Sequence, residues 1–228
     1  MKYFTILALA LTLGACVTAK PVKEEPFTVD FDSPKIPVGM TEAQFQRIVD
    51  VAGIRTVKVN VDYYPLEDAV CLQYKLDLMT FYMFLDREGR DIYLKALKQY
   101  KEDYEKKTLK TKGSRQTRRQ YGNVEIYLVW QAAAFTVRSR ANTFIDFGYD
   151  IRRVSNSRAS FFTVFRQEAT YYDLSASEQE GRKALNEIMY LTRSQADDLA
   201  ALFDQDYLKN LTPDRPNIRS NNLSVDSY

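Results

Sequence analysis

The sequence predicts an α+β domain, built on about five strands in an antiparallel or mixed twisted sheet with helices packed on one face. Three observations carry that expectation. Several segments alternate apolar and polar residues with period two, the mark of strands with one wet face. One long segment changes to helical spacing and carries charge pairs four residues apart. Aromatic residues make up 13% of the chain, with 16 Tyr and 13 Phe against one Trp, and such side chains suit a half-buried pleated surface.

Thr41-Glu42-Ala43-Gln44 has capping-box spacing, with Met40 before the cap and Phe45 placed for a hydrophobic staple. Phe45, Ile48, Val49 and Ala52 share a face, which predicts a short helix to about Val51, ended by Gly53. Val57, Val59, Val61 and Tyr63 then alternate with Lys58, Asn60 and Asp62 as a first strand. From Val70 to Leu85 the even positions form a longer apolar face. The odd positions begin polar at Gln73, Lys75 and Asp77 and turn apolar at Met79, Phe81 and Met83. One long strand, buried on both sides at one end, is expected there.

Tyr93, Leu97, Tyr100 and Tyr104 follow helical spacing across 90–107, so a helix is expected to lie on the sheet. Three more strands are expected at 122–138, 142–153 and 159–171. Ser175-Ala176-Ser177-Glu178 is a second capping box, read as opening a helix through Leu191. Thr192-Arg193-Ser194-Gln195 is a third, followed by an amphipathic stretch through Ala196, Leu199, Ala200, Phe203 and Tyr207. The domain is thus expected at 39–211, with residues 212–228 a loose tail.

Ahead of the domain, residues 17–38 hold four of the seven prolines and read as an extended tether. Met1-Lys2 supplies a positive start, and Tyr3 to Leu13 is an apolar run of about half the roughly twenty residues that cross a bilayer. Residues 1–15 therefore read as a secretory signal peptide. Leu13-Gly14-Ala15-Cys16 resembles the lipobox of bacterial lipoproteins, which implies acylation of the Cys16 thiol and cleavage just before it. Two or more acyl chains would anchor stably, since each buried methylene contributes about 0.8 kcal/mol. In such lipoproteins an Asp after the cysteine resembles an inner-membrane retention signal. Val17 stands there instead, which implies the outer membrane in a Gram-negative envelope.

Composition then narrows the chemistry. The chain has no histidine, which removes Ser-His-Asp and Cys-His catalysis, His-ligated zinc and the usual base near neutral pH. With Cys16 acylated, Cys71 is the one remaining thiol, expected as a small buried residue in a strand rather than a nucleophile. The formal charge of +2 falls to +1 when Lys2 leaves with the signal peptide (2 − 1), so nothing demands nucleic acid. No metal and no cofactor is expected.

The candidate binding residues are basic. Lys106, Lys107, Lys110, Lys112, Arg115, Arg118 and Arg119 lie close together with no acid among them. Strand directions place that loop at the same end of the sheet as the turn carrying Arg152, Arg153 and Arg158. Lys110, Lys112, Arg115, Arg118, Arg119, Arg152, Arg153 and Arg158 are therefore expected to take an anionic partner through charge-assisted contacts. Asp77, Asp146 and Asp150 are the acids a hydrolase would use, but strand positions four apart are separated by roughly 13 Å. The expected function is a membrane-anchored, non-enzymatic binding or scaffolding lipoprotein. Its partner would be an envelope protein, a lipid headgroup or an anionic glycan. A carrier of lipid or another hydrophobic ligand is the first alternative, a carboxylate-dependent hydrolase the second.

Overall fold

The strands exceed the expected five and close on themselves. A computed structural model describes residues 26–47, 53–109, 121–133, 138–154, 157–172 and 181–211. Among them, β1 (Ile36–Arg47), β2 (Arg55–Tyr64), β3 (Ala69–Leu76) and β4 (Met79–Leu85) lead into helix α1 (Arg87–Glu105). Then come β5 (Gly122–Ala132), β6 (Ser139–Val154), β7 (Ser157–Arg166), the short pair β8 (Ala169–Tyr171) and β9 (Arg182–Ala184), and β10 (Glu187–Leu191). Helices α2 (Arg193–Leu202) and α3 (Gln205–Lys209) end the described chain. Eight strands form a closed barrel in the order β1-β10-β7-β6-β5-β4-β3-β2, antiparallel at each seam, and β8 pairs with β9 separately.

Three local readings account for the correction from an open five-stranded sheet to a barrel. Residues 70–85 are a hairpin, not one strand. Asp77, at φ 56°, reverses the chain, and Leu76 then faces Met79, Tyr74 faces Phe81 and Leu72 faces Met83. A two-residue turn moves the inner face from even to odd positions, which is the parity change visible in the sequence. Thr41, Ala43 and Phe45 point inward from β1 although Thr41-Glu42-Ala43-Gln44 has capping-box spacing. Residues 187–191, expected to be helical, are β10, buried on both faces. A short apolar run of that kind carries no period to separate strand from helix. Pairing of β10 with β1, Gln44 opposite Tyr190 through Arg47 opposite Glu187, closes the barrel.

Other expectations match: β2, α1 and the third capping box. Asp86 caps α1 by accepting from the Gly89 N–H at 2.7 Å. Thr192 and Gln195 form both halves of the box that opens α2. The Ser175 capping box and residues 212–228 lie outside the described residues.

Apolar side chains fill the interior: Val59 and Val61, Leu72 and Tyr74, Phe81 and Met83, Ile126 and Leu128, Phe147, Phe162 and Met189. The outer face of β2 carries Lys58, Asn60 and Asp62. The filled apolar interior differs from that of a membrane-spanning barrel, which is polar within. No described helix is long and apolar enough to cross a membrane.

Both α1 and α2 follow strands that run in the same direction, so they meet at one end, here the helical end. Tyr93 of α1 packs edge-on against Phe147, Phe162 and Phe203, at centroid distances of 5.5, 5.4 and 4.9 Å. Gly122 lets α1 close on β5, because a Cβ there would stand 2.7 Å from Ile92 Cγ2. The opposite, hairpin end carries the β3–β4 turn and, inside, Ala169 and Ala184 of β8 and β9.

The expected tether boundary at residue 38 falls inside β1. The segment before β1 is also packed. Phe27, Val29 and Phe31 lie on an apolar outer wall made by Tyr64, Ala69, Cys71, Phe84, Tyr127 and Val129. Phe31 meets Tyr82 edge-on at 4.7 Å, and Asn142 Nδ2 donates to the Phe27 carbonyl at 2.8 Å.

Candidate functional site

The expected basic residues divide. Lys110, Lys112, Arg115, Arg118 and Arg119 lie outside the described residues, but the chain on either side of them is placed. Leu109 is buried in the core, and the Tyr121 N–H donates to the Phe147 carbonyl at 2.7 Å. Tyr121 also packs on Tyr149 at 6.0 Å. Both flanks thus sit at the helical end, where β6 finishes and β7 begins.

Arg152 is engaged within the fold. Its Nε donates to Asp150 Oδ2 at 2.9 Å and an Nη donates to Gln46 Oε1 at 2.7 Å. The guanidinium lies 3.7 Å over the Tyr190 ring and donates to its hydroxyl. Arg152 therefore staples β6 to β10 and β1 across the small Ala159, on the outer wall.

Arg153 and Arg158 are different. They stand directly opposite each other in the β6–β7 ladder, both exposed, and no described residue pairs with either. Like charges opposite one another destabilise a strand pair. On the same hairpin face, Ser160 is within 2.8 Å of the Tyr100 hydroxyl of α1. The arginine pair therefore lies beside the C-terminal part of α1 and the two flanks of residues 110–120. An anion between them would relieve the repulsion and gain charge-assisted hydrogen bonds from planar donors.

The acids do not form a cleft. Asp77 pairs with both Arg47, at 3.1 Å, and Arg55. Asp146 accepts from Asn123 Nδ2 at 2.6 Å, and Asp150 is held by Arg152. No group of three His, Cys, Asp or Glu suited to a metal occurs among the described residues. Cys71 is buried against the N-terminal segment, and burial, reinforced by Asp62, pushes its thiol well above the ordinary value. A thiol so held is inert as a nucleophile.

Sequence reasoning missed two polar networks. Inside the hairpin end, Arg166 and Glu187 are each 2% exposed and pair at 3.1 Å. Tyr74 donates its hydroxyl to the same Glu187 oxygen. Arg166 also donates to the carbonyls of Gln167 at 3.1 Å, Ala184 at 3.4 Å and Leu185 at 2.6 Å. Burial lowers the guanidinium's affinity for its proton, but Glu187 and then Tyr74 outweigh it. Tyr74 is pushed well up by burial and by Glu187. Phe45, Met83, Val164 and Met189 close around them and leave no room for a water molecule. The signal in the sequence was a charge on the inner parity: Arg166 continues Phe162 and Val164, and Glu187 precedes Met189 and Leu191.

The second network joins the helical end. Arg90, 1% exposed, donates to the Asp68 carboxylate at 2.7 Å and to Gln205 Oε1 at 2.6 Å, tying α1 to the β2–β3 turn and α3. Burial raises the Asp68 carboxyl, but Arg90, Gln205 and Tyr63 outweigh it and hold it below the ordinary carboxylate range. Asp68 has φ 46°, a conformation Asp tolerates better than most residues.

A family described as "Uncharacterised Treponema protein" matches residues 35–210, the barrel and its helices. The chain belongs to that family. No curated protein and no solved structure matches it.

Proposed function

We propose that this family member is a lipid-anchored, non-enzymatic binding module of a bacterial cell envelope, held through Cys16 and offering the Arg153–Arg158 hairpin to a polyanionic partner. The observation that carries the reading is the arginine pair itself, two exposed like charges in register with no described counter-charge. Such a pair costs stability in the free protein. Residues 110–120, whose flanks Leu109 and Tyr121 sit at the helical end, carry Lys110, Lys112, Arg115, Arg118 and Arg119 in the sequence. The lipobox resemblance and the absence of histidine support the anchor and the non-enzymatic role.

A hydrophobic carrier needs a chamber, and ligand pockets run from roughly 300 Å³ upward. The described interior is instead filled by stacked rings such as Phe45 on Tyr74 at 4.6 Å and Tyr74 on Phe81 at 5.3 Å. A hydrolase needs two converging acids, and each candidate acid is taken up by a neighbour.

The test is retention on an immobilised polyanion such as heparin, as a function of salt. Arg153→Ala/Arg158→Ala is expected to elute at lower salt and to be no less stable in urea than the parent. Adding Arg115→Ala, Arg118→Ala and Arg119→Ala should shift elution further. Unchanged retention of the five-fold variant would sink the assignment.

A further inference from the structure

We propose that the hairpin end of the barrel lies on an anionic lipid surface, so that the helical end with its arginine pair faces away from the membrane. The inference rests on the lipid-anchor reading and adds an orientation to it.

Tether length supplies the first argument. Nine residues, 17–25, separate Cys16 from Pro26, where the described chain begins. Fully extended they span about 30 Å. Beside Pro26, Phe27 is fixed to Asn142, three residues into β6 from the hairpin end and thus about 10 Å below it. Arg153 lies eleven residues further along the same strand, towards the helical end. The hairpin end is therefore the nearer of the two to Phe27, and it is within reach of the anchor with slack.

The surface at the hairpin end fits a bilayer. Leu78, at the β3–β4 turn, is 71% exposed, Ile54 is 42% exposed and Leu185 39%. They form one arc. The Arg55–Asp77 ion pair sets Ile54 beside Leu78, and Arg47, which pairs with Asp77, stands opposite Glu187 two residues from Leu185. Lys75 and Arg140 are exposed on the adjoining outer walls, and no described residue pairs with either. Apolar tips flanked by unpaired cations suit the boundary between anionic headgroups and acyl chains.

The mature chain carrying Cys16→Ser keeps every described contact and loses the acyl group. It is sedimented with vesicles of phosphatidylglycerol and phosphatidylcholine, and with phosphatidylcholine alone. Binding to the anionic vesicles is expected, weakened about five-fold by Lys75→Glu and likewise reduced by Leu78→Glu. Arg153→Ala/Arg158→Ala should leave it unchanged. On the acylated chain, a fluorophore at Leu78→Cys should be quenched by headgroup spin-labelled lipid more strongly than one at Arg158→Cys. The buried Cys71 keeps each label to one site.

Control of vesicle binding by the arginine pair, or equal quenching at the two labels, overturns the orientation. Indifference of the Cys16→Ser chain to both kinds of vesicle overturns the lipid assignment and leaves a protein partner for this end. The anchor reading fails separately: an intact mass of the native protein without acyl chains on Cys16 removes it, and the tether argument with it.

Discussion

At the helical end of the barrel, Tyr93 meets three phenylalanine rings edge-on and gives its hydroxyl to the Ala196 carbonyl at 2.9 Å. At the hairpin end, an arginine and a glutamate, both buried, hold the chain reversal between β7 and β10. Aromatic contacts of the first kind add about 0.5–1.5 kcal/mol each beyond area burial, and each survives the loss of another. The ionic closure is conditional. A buried charge is tolerated only while its partner is present, because its desolvation cost is several kcal/mol. The aromatic end is held by a sum of contacts, and the ionic end by an agreement between two residues.

The largest expected effect tests that agreement. Arg166→Met alone should cost about 3–5 kcal/mol in urea unfolding, since Glu187 is left buried without its counter-charge. Arg166→Met/Glu187→Leu should recover most of the loss. If the double variant is as unstable as the sum of the two single ones, the hairpin end is not conditional and the contrast disappears.

A smaller effect is expected at the other end. Tyr93→Phe removes one hydroxyl hydrogen bond while keeping the rings, and should cost about 1 kcal/mol. No second substitution should rescue it. A much larger loss would mean that the aromatic end also depends on a single polar contact.

The smallest effect sharpens the comparison at an ionic clamp of the helical end. Asp68 is held below the ordinary carboxylate range by Arg90, Gln205 and Tyr63 against its own burial. Its contribution is therefore complete above its unfolded value of about 3.9 and is lost as pH falls through the lower folded value. Melting temperature should drop below about pH 4 in the parent, and less steeply in Asp68→Asn. Parallel pH profiles for the two would assign acid sensitivity to another group. Because Asp68 is partly exposed, the effect should be modest and screened by salt.

Much of the local structure was legible. Alternation marked β2, helical spacing marked α1, and the Thr192 capping box marked α2 to the residue, since each of these signals depends on neighbours within one turn. The turn between Arg153 and Arg158 was also visible, but the end of the sheet on which it falls was reasoned from a single strand at 70–85 that is a hairpin in the structure. The failures share one cause. Thr41-Glu42-Ala43-Gln44 satisfies capping spacing and strand alternation at once, and pairing along β2 on one side and β10 on the other selects the strand. Arg152 counted as a free cation until the Tyr190 ring and Gln46, from strands far along the chain, came beneath it.

By itself the sequence determined the lipobox resemblance at Cys16, the exclusion of histidine chemistry, the alternating strands and the basic segments, because each is set by residue type and short spacing. Only the tertiary structure decided that the sheet closes, that Phe27, Val29 and Phe31 lie on the barrel wall, and that Arg166 and Glu187 sit inside it. Those facts rest on contacts such as Gln44 opposite Tyr190, nearly 150 residues apart, where loop entropy is repaid only when all seams form together.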